Sequence, residues 1–223
     1  MLFANRHEAG AVLAGLLKHY ANRPDVLVLA LPRGGLPVAF EVAQALNAPL
    51  DVFVVRKLGV PGHDELAMGA IATGGVRVLN DDVVGYLGLS DEAIDRVMEK
   101  EKRELERRER IYRGNRAPPK VQGRAVILVD DGLATGSTMR AAVAALRKQQ
   151  PSRIVVAVPV AALEACEELG SEVDETVCAA TPQPFLGVGR WYRDFSQTTD
   201  EEVHELLARS ANFGDKMTRE FVK

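Results

Sequence analysis

Residues 125–129, Ala-Val-Ile-Leu-Val, form an unbroken apolar run that stops abruptly at Asp130 and Asp131. A strand with one wet face alternates apolar and polar residues. A run without that alternation has to be covered on both faces, as in a parallel sheet sandwiched between helices. After the acid pair comes a turn, Gly132-Leu-Ala-Thr-Gly136, and then Met139, Ala142, Val143 and Leu146 recur at helical spacing. The turn therefore delivers its last residues to a helix N-terminus.

The same pattern recurs along the chain. Residues 26–31 are a second continuous apolar run, ended by Pro32-Arg33-Gly34-Gly35 and followed by helically spaced Val38, Ala39, Val42, Ala43 and Leu46. A third strand is expected over 51–55, ending in Arg56-Lys57. Residues 153–158 and 173–179 read as further strands, with a helix over 161–169 between them. Apolar strands separated by helices imply an α/β protein with a mainly parallel, Rossmann-like sheet flanked by helices. Asn5 with Glu8 resembles a capping box opening a first helix through Val12, Leu13, Leu16 and Leu17.

The corner after 125–129 has a definite chemistry. Gly136 lets backbone approach a phosphate, and Thr135, Ser137 and Thr138 offer hydroxyls beside the unpaired N–H groups of a helix start. Asp130 and Asp131 stand too near that site to favour a second anion, and suit neutral hydroxyls as donors. A sugar with vicinal hydroxyls and a terminal phosphate satisfies both halves. Neither a Walker A loop nor a three-glycine dinucleotide fingerprint is present. The competing structural reading is a pair of solvated acids before a well-capped helix.

The run resembles the phosphoribosyl diphosphate signature of the type I phosphoribosyltransferases, most closely the bacterial members of unassigned acceptor. The resemblance implies that fold, with a small hood and a helical insertion. It makes Asp130 and Asp131 the ribose pair and Ala134, Thr135, Gly136, Ser137 and Thr138 the 5′-phosphate loop. Arg33, Gly34 and Gly35 match the family's pyrophosphate loop, although a tight strand–helix turn alone would explain the glycines. Arg56 and Lys57, at a strand's carboxyl edge, are candidates to neutralise pyrophosphate, with surface solvation as the bland alternative.

Residues 59–65, Gly-Val-Pro-Gly-His-Asp-Glu, read as a flexible loop, and Gly74-Gly75 as a hairpin turn before a short strand over 76–79. The family closes a loop from this part of the chain over the reacting centre, which makes His63, Asp64 and Glu65 candidate contacts. A plain surface loop is the alternative for each. Ser90 caps a long charged helix running to residue 113, whose interspersed signs argue against a nucleic-acid clamp and leave room for an interface in a homodimer. The aromatic tail resembles a family hood over the base, so Phe185, Val188, Trp191, Tyr192 and Asp194 are candidate base contacts, with packing of the C-terminal helix as the alternative. The division expected is a core over 1–180, including an insertion at 81–120, and a hood loop with C-terminal helix over 181–223. One departure stands out: several 6-oxopurine enzymes of the family carry an acid where this chain has Ala134, whereas adenine-type members carry alanine.

A formal net charge of −3 and a pI near 5.9 give no electrostatic reason to expect nucleic acid or an anionic membrane. Cys166 and Cys178 fit no metal-ligand spacing and are expected as reduced, buried small hydrophobes. No membrane span and no leader are expected, and the cytoplasm is the default location. The function implied is Mg²⁺-dependent transfer of the 5-phosphoribosyl group from phosphoribosyl diphosphate to a nitrogen acceptor such as a nucleobase. The magnesium would be held mainly by substrate oxygens and not by a protein cage. The rival is a non-catalytic regulatory protein binding phosphoribosyl diphosphate or a nucleotide in the same pocket. A nucleotide hydrolase lacks an evident water-activating residue.

Overall fold

A computed structural model describes residues 2–114 and 116–213. Its centre is a five-stranded, all-parallel sheet formed by β1 (Val26–Ala30), β2 (Leu50–Val52), β6 (Ala125–Val129), β7 (Arg153–Val160) and β8 (Glu175–Ala180), in the order β2-β1-β6-β7-β8. Every residue of β1 and β6 is buried. The run of Val26, Val28 and Ala30 faces one layer, built from α1 (Arg6–Leu16), α2 (Gly35–Leu46) and α7 (Asp200–Arg209). Leu27 and Leu29 face the other, built from α5 (Ser137–Lys148) and α6 (Leu163–Glu172). Burying one such aliphatic side chain is worth about 1.5–3 kcal/mol, whereas an exposed ion pair gives about 0–1 kcal/mol. The apolar strands, not the charge-rich helix, therefore set the fold.

The connections locate the crevice. From β1 the chain passes through α2 to β2 on one side, and from β6 through α5 to β7 on the other. Between β1 and β6 the order reverses, and at such a switch point the carboxyl ends of adjacent strands part to leave a ligand crevice. Pro32-Arg33-Gly34 leaves the tip of β1, and Asp130-Asp131 leaves the tip of β6.

The expected third strand over 51–55 is instead split between two sheets. Leu50–Val52 is the edge strand β2, and Phe53-Val54 crosses into a separate antiparallel sheet of β3 (Val55–Val60), β4 (His63–Ala72) and β5 (Val76–Leu79). Val52-Phe-Val-Val55 is apolar throughout, with no turn residue to mark the junction. The crossing is fixed by tertiary bonds, Phe53 N–H to Ala30 O at 2.8 Å and Val54 N–H to Thr73 Oγ1 at 2.9 Å. The stretch expected as a loop over 59–65 is a hairpin. Pro61-Gly62 makes a two-residue turn, with Gly62 at φ +82°, and the register slips around Gly59.

The small sheet packs between α5 and the long helix α4 (Asp91–Arg113), which follows a short helix α3 (Asp81–Leu87). Ser90 caps α4 by accepting from Ala93 N–H. Its far end is anchored by Arg113, whose side chain is 2 % exposed and whose guanidinium donates to Asp51, Glu109 and the Val52 carbonyl. The cysteines expected as reduced thiols are joined: α6 lies along β8 and brings Cys166 and Cys178 to a Cα–Cα distance of 6.7 Å, where they form a disulfide. Two cysteines twelve residues apart carry no sign of that proximity in sequence. Among the described residues, no helix is long and apolar enough to cross a membrane.

Candidate functional site

The loop after β6 keeps its polar groups available. Gly136 takes φ +73°, the left-handed conformation that lets the chain reverse into α5, and no side chain caps that helix. The amides of Thr135, Gly136, Thr138 and Met139 have no backbone partner among the described residues. Thr135 Oγ1 lies 3.4 Å from Ser137 Oγ. Arg140 bonds the Thr135 carbonyl at 2.6 Å while pairing with Glu168, which braces the loop from outside. Asp130, Gly132, Leu133, residues 134–139 and Val188 line a cavity of about 180 Å³. Uncapped amides, hydroxyls and the positive end of a helix make this an anion cradle.

The acid pair at its edge is more occupied than the sequence suggests. Asp130 accepts the Asp131 amide on Oδ1 at 2.8 Å. Asp131 Oδ2 receives two bonds from Arg6 of α1, Nε at 2.9 Å and Nη2 at 2.8 Å. Both acids are half-buried. Burial pushes the Asp130 carboxyl well above the usual carboxylate range, and the neighbouring Asp131 charge pushes it further. Burial also raises Asp131, with Arg6 pulling the other way. Tyr192 donates its phenol to the Asp131 carbonyl at 2.5 Å, and its own pKa is raised by burial and then by the Asp131 charge.

The glycines after β1 are explained by close approach. A Cβ on Gly34 would collide with Asp131 Oδ2, and one on Gly35 would sit 2.7 Å from the Val129 carbonyl and 3.1 Å from Asp130 Oδ1. The Arg33-Gly34-Gly35 turn is thus pressed directly on the acid pair. The Pro32–Arg33 peptide is cis. Gly35 and Leu36 amides are already satisfied by Leu31 and Arg33 carbonyls, so the Arg33 and Gly34 amides are the ones in this turn without a backbone partner among the described residues. The Arg33 guanidinium lies 3.6 Å from Asp200, at the start of α7, and against the Gln197 side-chain amide.

Arg56 and Lys57 do not lie at the carboxyl edge of the central sheet. They begin β3, where successive side chains point to opposite faces. Lys57 Nζ reaches Ser137 Oγ at 3.2 Å, at the start of α5, whereas Arg56 turns to α4 and pairs with Glu101. His63 is exposed at the hairpin tip; Asp64 and Glu65 belong to β4, and their side chains lie outside the described residues. In the tail, Phe185, Val188 and Trp191 pack with Phe3, Ala9, Val160 and Tyr192 against α1, and Trp191 Nε1 is buried without a hydrogen-bond partner among the described residues. Val188 also walls the phosphate cavity. Asp194 is exposed and accepts from Ser196 N–H at 3.0 Å.

Sequence reasoning missed Arg6, Gln197, Asp200 and Arg140. Arg6 follows a helix cap and reads as an ordinary first-turn residue. Its role comes from a contact spanning 125 positions.

Uncapped amides and an acid pair meet here at the switch point of a doubly covered parallel sheet, the place where open α/β proteins hold their ligands. The profile of the phosphoribosyl transferase domain matches residues 4–178, and the chain belongs to that family. A Mycobacterium tuberculosis protein named as a phosphoribosyl transferase, itself a provisional name, is 48% identical over 209 residues, 94% of this chain and 47% of that protein. The chain therefore spans about half the length of the curated relatives it matches. The crystal structure of TT1426 from Thermus thermophilus is similar at 42% identity and a TM-score of 0.86, covering 95% of this chain and 100% of that one.

Proposed function

We propose that the chain moves the 5-phosphoribosyl group from phosphoribosyl diphosphate to a nitrogen acceptor, a nucleobase in the simplest case, with release of pyrophosphate. The observation that carries this reading is convergence. Gly34 and Gly35 touch the acid pair, and Lys57 touches the phosphate loop, although these pieces come from three separate parts of the chain.

In this reading the 134–138 loop binds the 5′-phosphate, and Asp130 and Asp131 accept the ribose hydroxyls. The Arg33 and Gly34 amides and the Arg33 guanidinium meet the diphosphate. Lys57 adds charge between the two ends. Arg56, committed to Glu101, has a smaller part. Holding the sugar at both ends fixes C1′ relative to the leaving group while positive charge develops there. Water exclusion falls to the β3–β4 hairpin carrying His63, Asp64 and Glu65.

Among the described residues, no three His, Cys, Asp or Glu side chains converge as a metal cage. In this reading magnesium would be held mainly by substrate oxygens. Bound there, it would neutralise the leaving group. The test is a panel of purine, pyrimidine and pyridine bases incubated with phosphoribosyl diphosphate and Mg²⁺, with pyrophosphate as readout. Turnover with one base is expected. Tight binding with silence across the panel would favour a second reading, a non-catalytic sensor of the same ligand. That reading draws on the tail, where Phe185, Trp191 and Tyr192, offered as base contacts, are packed against α1.

A further inference from the structure

The residue that stands out beyond the family motifs is Arg6. Its side chain is only 11% exposed. All three of its nitrogens are engaged: Nε and Nη2 on Asp131 Oδ2, and Nη1 on the Ser196 carbonyl at 2.7 Å. The guanidinium carbon lies 4.0 Å from the centre of the Phe195 ring and 6.0 Å from that of Tyr192. A planar cation seated against aromatic faces, with its fork on one carboxylate oxygen, is held in a single orientation. Both of its bonds to Asp131 fall on the same oxygen. Among the described residues, no other side chain or neighbouring amide donates a hydrogen bond to Asp131 Oδ1.

We propose that Arg6 is a positioning residue for the sugar: by occupying Oδ2 it fixes the Asp131 carboxylate and leaves Oδ1 as the acceptor for a ribose hydroxyl. The same guanidinium fastens the 195–196 segment to the acid pair, so the tail and the sugar site share one anchor. The role rests on the phosphoribosyl reading. It has a second consequence in charge. The titratable and charged groups around the Asp131 carboxylate are Asp130 beside it at the tip of β6, Arg6 from α1 and the Tyr192 phenol from the tail, which donates to the Asp131 main-chain carbonyl. Arg6 is the cation among them, and without it two crowded acids share a buried site. One of them would then hold its proton to higher pH, and a protonated oxygen is a poorer acceptor for a hydroxyl.

The experiment is titration calorimetry of the full chain with phosphoribosyl diphosphate and Mg²⁺ at a series of pH values from the acid to the alkaline side of neutrality. Wild type, Arg6→Gln and Arg6→Lys are compared, with inorganic phosphate as a second ligand that reads the 134–138 loop alone. For Arg6→Gln, affinity for phosphoribosyl diphosphate should fall about 10–100-fold at the acid end, and the deficit should shrink as pH rises. Arg6→Lys keeps the charge and should restore the pH profile, with a residual loss below about tenfold. Phosphate affinity should stay at the wild-type value in both. The role is overturned if Arg6→Gln binds phosphoribosyl diphosphate like wild type, if its deficit is the same at every pH, or if phosphate affinity falls in parallel, the mark of a merely structural residue. A wild type that binds phosphate but not phosphoribosyl diphosphate is a different failure: it removes the phosphoribosyl reading itself, and this role with it.

Discussion

At the proposed phosphate end of the crevice, the amides and hydroxyls come from one short loop, residues 134–139, whose amides stand without backbone partners among the described residues. At the acid end, the crevice is assembled from α1, the β1 turn, the β6 tip and the tail, and most of its polar atoms are already engaged. The first is a local device that a helix start provides almost by itself. The second exists only once the whole sheet and its tail are in place. The two ends should therefore respond differently to substitution, and ligands that touch one end or both can tell them apart.

The largest expected effect is at the acid end. Gly34→Ala puts a methyl group where Asp131 Oδ2 now lies. Displacing that carboxylate and its Arg6 partner should lower affinity for phosphoribosyl diphosphate by about 100-fold while phosphate binding is kept. Equal loss of both ligands, measured by calorimetry, would mean the two ends are not separable. At the phosphate end, Ser137→Ala combined with Thr138→Val removes hydroxyls and leaves the amides. Phosphate and phosphoribosyl diphosphate should weaken together, by about tenfold. A loss confined to the larger ligand would contradict the cradle.

The smallest effect is on stability, and it has the opposite sign. Folding raises the Asp130 pKa, so the native state binds more protons than the unfolded chain between the ordinary carboxylate value and the raised one. Stability consequently falls as pH climbs through that window. Asp130→Asn abolishes the cost and keeps an oxygen for the Asp131 amide. Its melting temperature at pH 7 should rise by about 2–4 °C, the equivalent of about 1 kcal/mol in a chain of this size, and the gain should vanish near pH 4. A lower melting temperature at pH 7 in thermal denaturation would contradict the pKa assignment.

The same contrast explains what could be read from the sequence. The β1 and β6 strands, the helices after them, the Gly74-Gly75 turn and the Ser90 cap are written in apolar period and local turn chemistry, and the structure has them. So is the turn after β6, because its strand, turn and helix are contiguous. What failed to show was long-range. The apolar run through Phe53 gives no sign that the chain changes sheets there, and the cross-bonds that divert it come from Ala30 and Thr73. Arg56-Lys57 looked like a matched pair of cations. Strand alternation separates them, sending Lys57 to Ser137 and Arg56 to Glu101. Nor does anything in the first-turn sequence of α1 mark Arg6 as part of a site. The disulfide between Cys166 and Cys178 depends likewise on how α6 lies on β8.

The central claim is that the acid pair and the phosphate loop grip opposite ends of one sugar. The most direct measurement compares ribose 5-phosphate with 2-deoxyribose 5-phosphate on wild type and on the Asp130→Asn, Asp131→Asn double variant, by calorimetry at one pH. Wild type should prefer the ribose compound by about tenfold, the worth of one hydroxyl bonded to a charged acceptor, and the double variant should lose that preference while binding inorganic phosphate as before. A preference that survives in the double variant would show that the hydroxyl is held elsewhere and would contradict the claim.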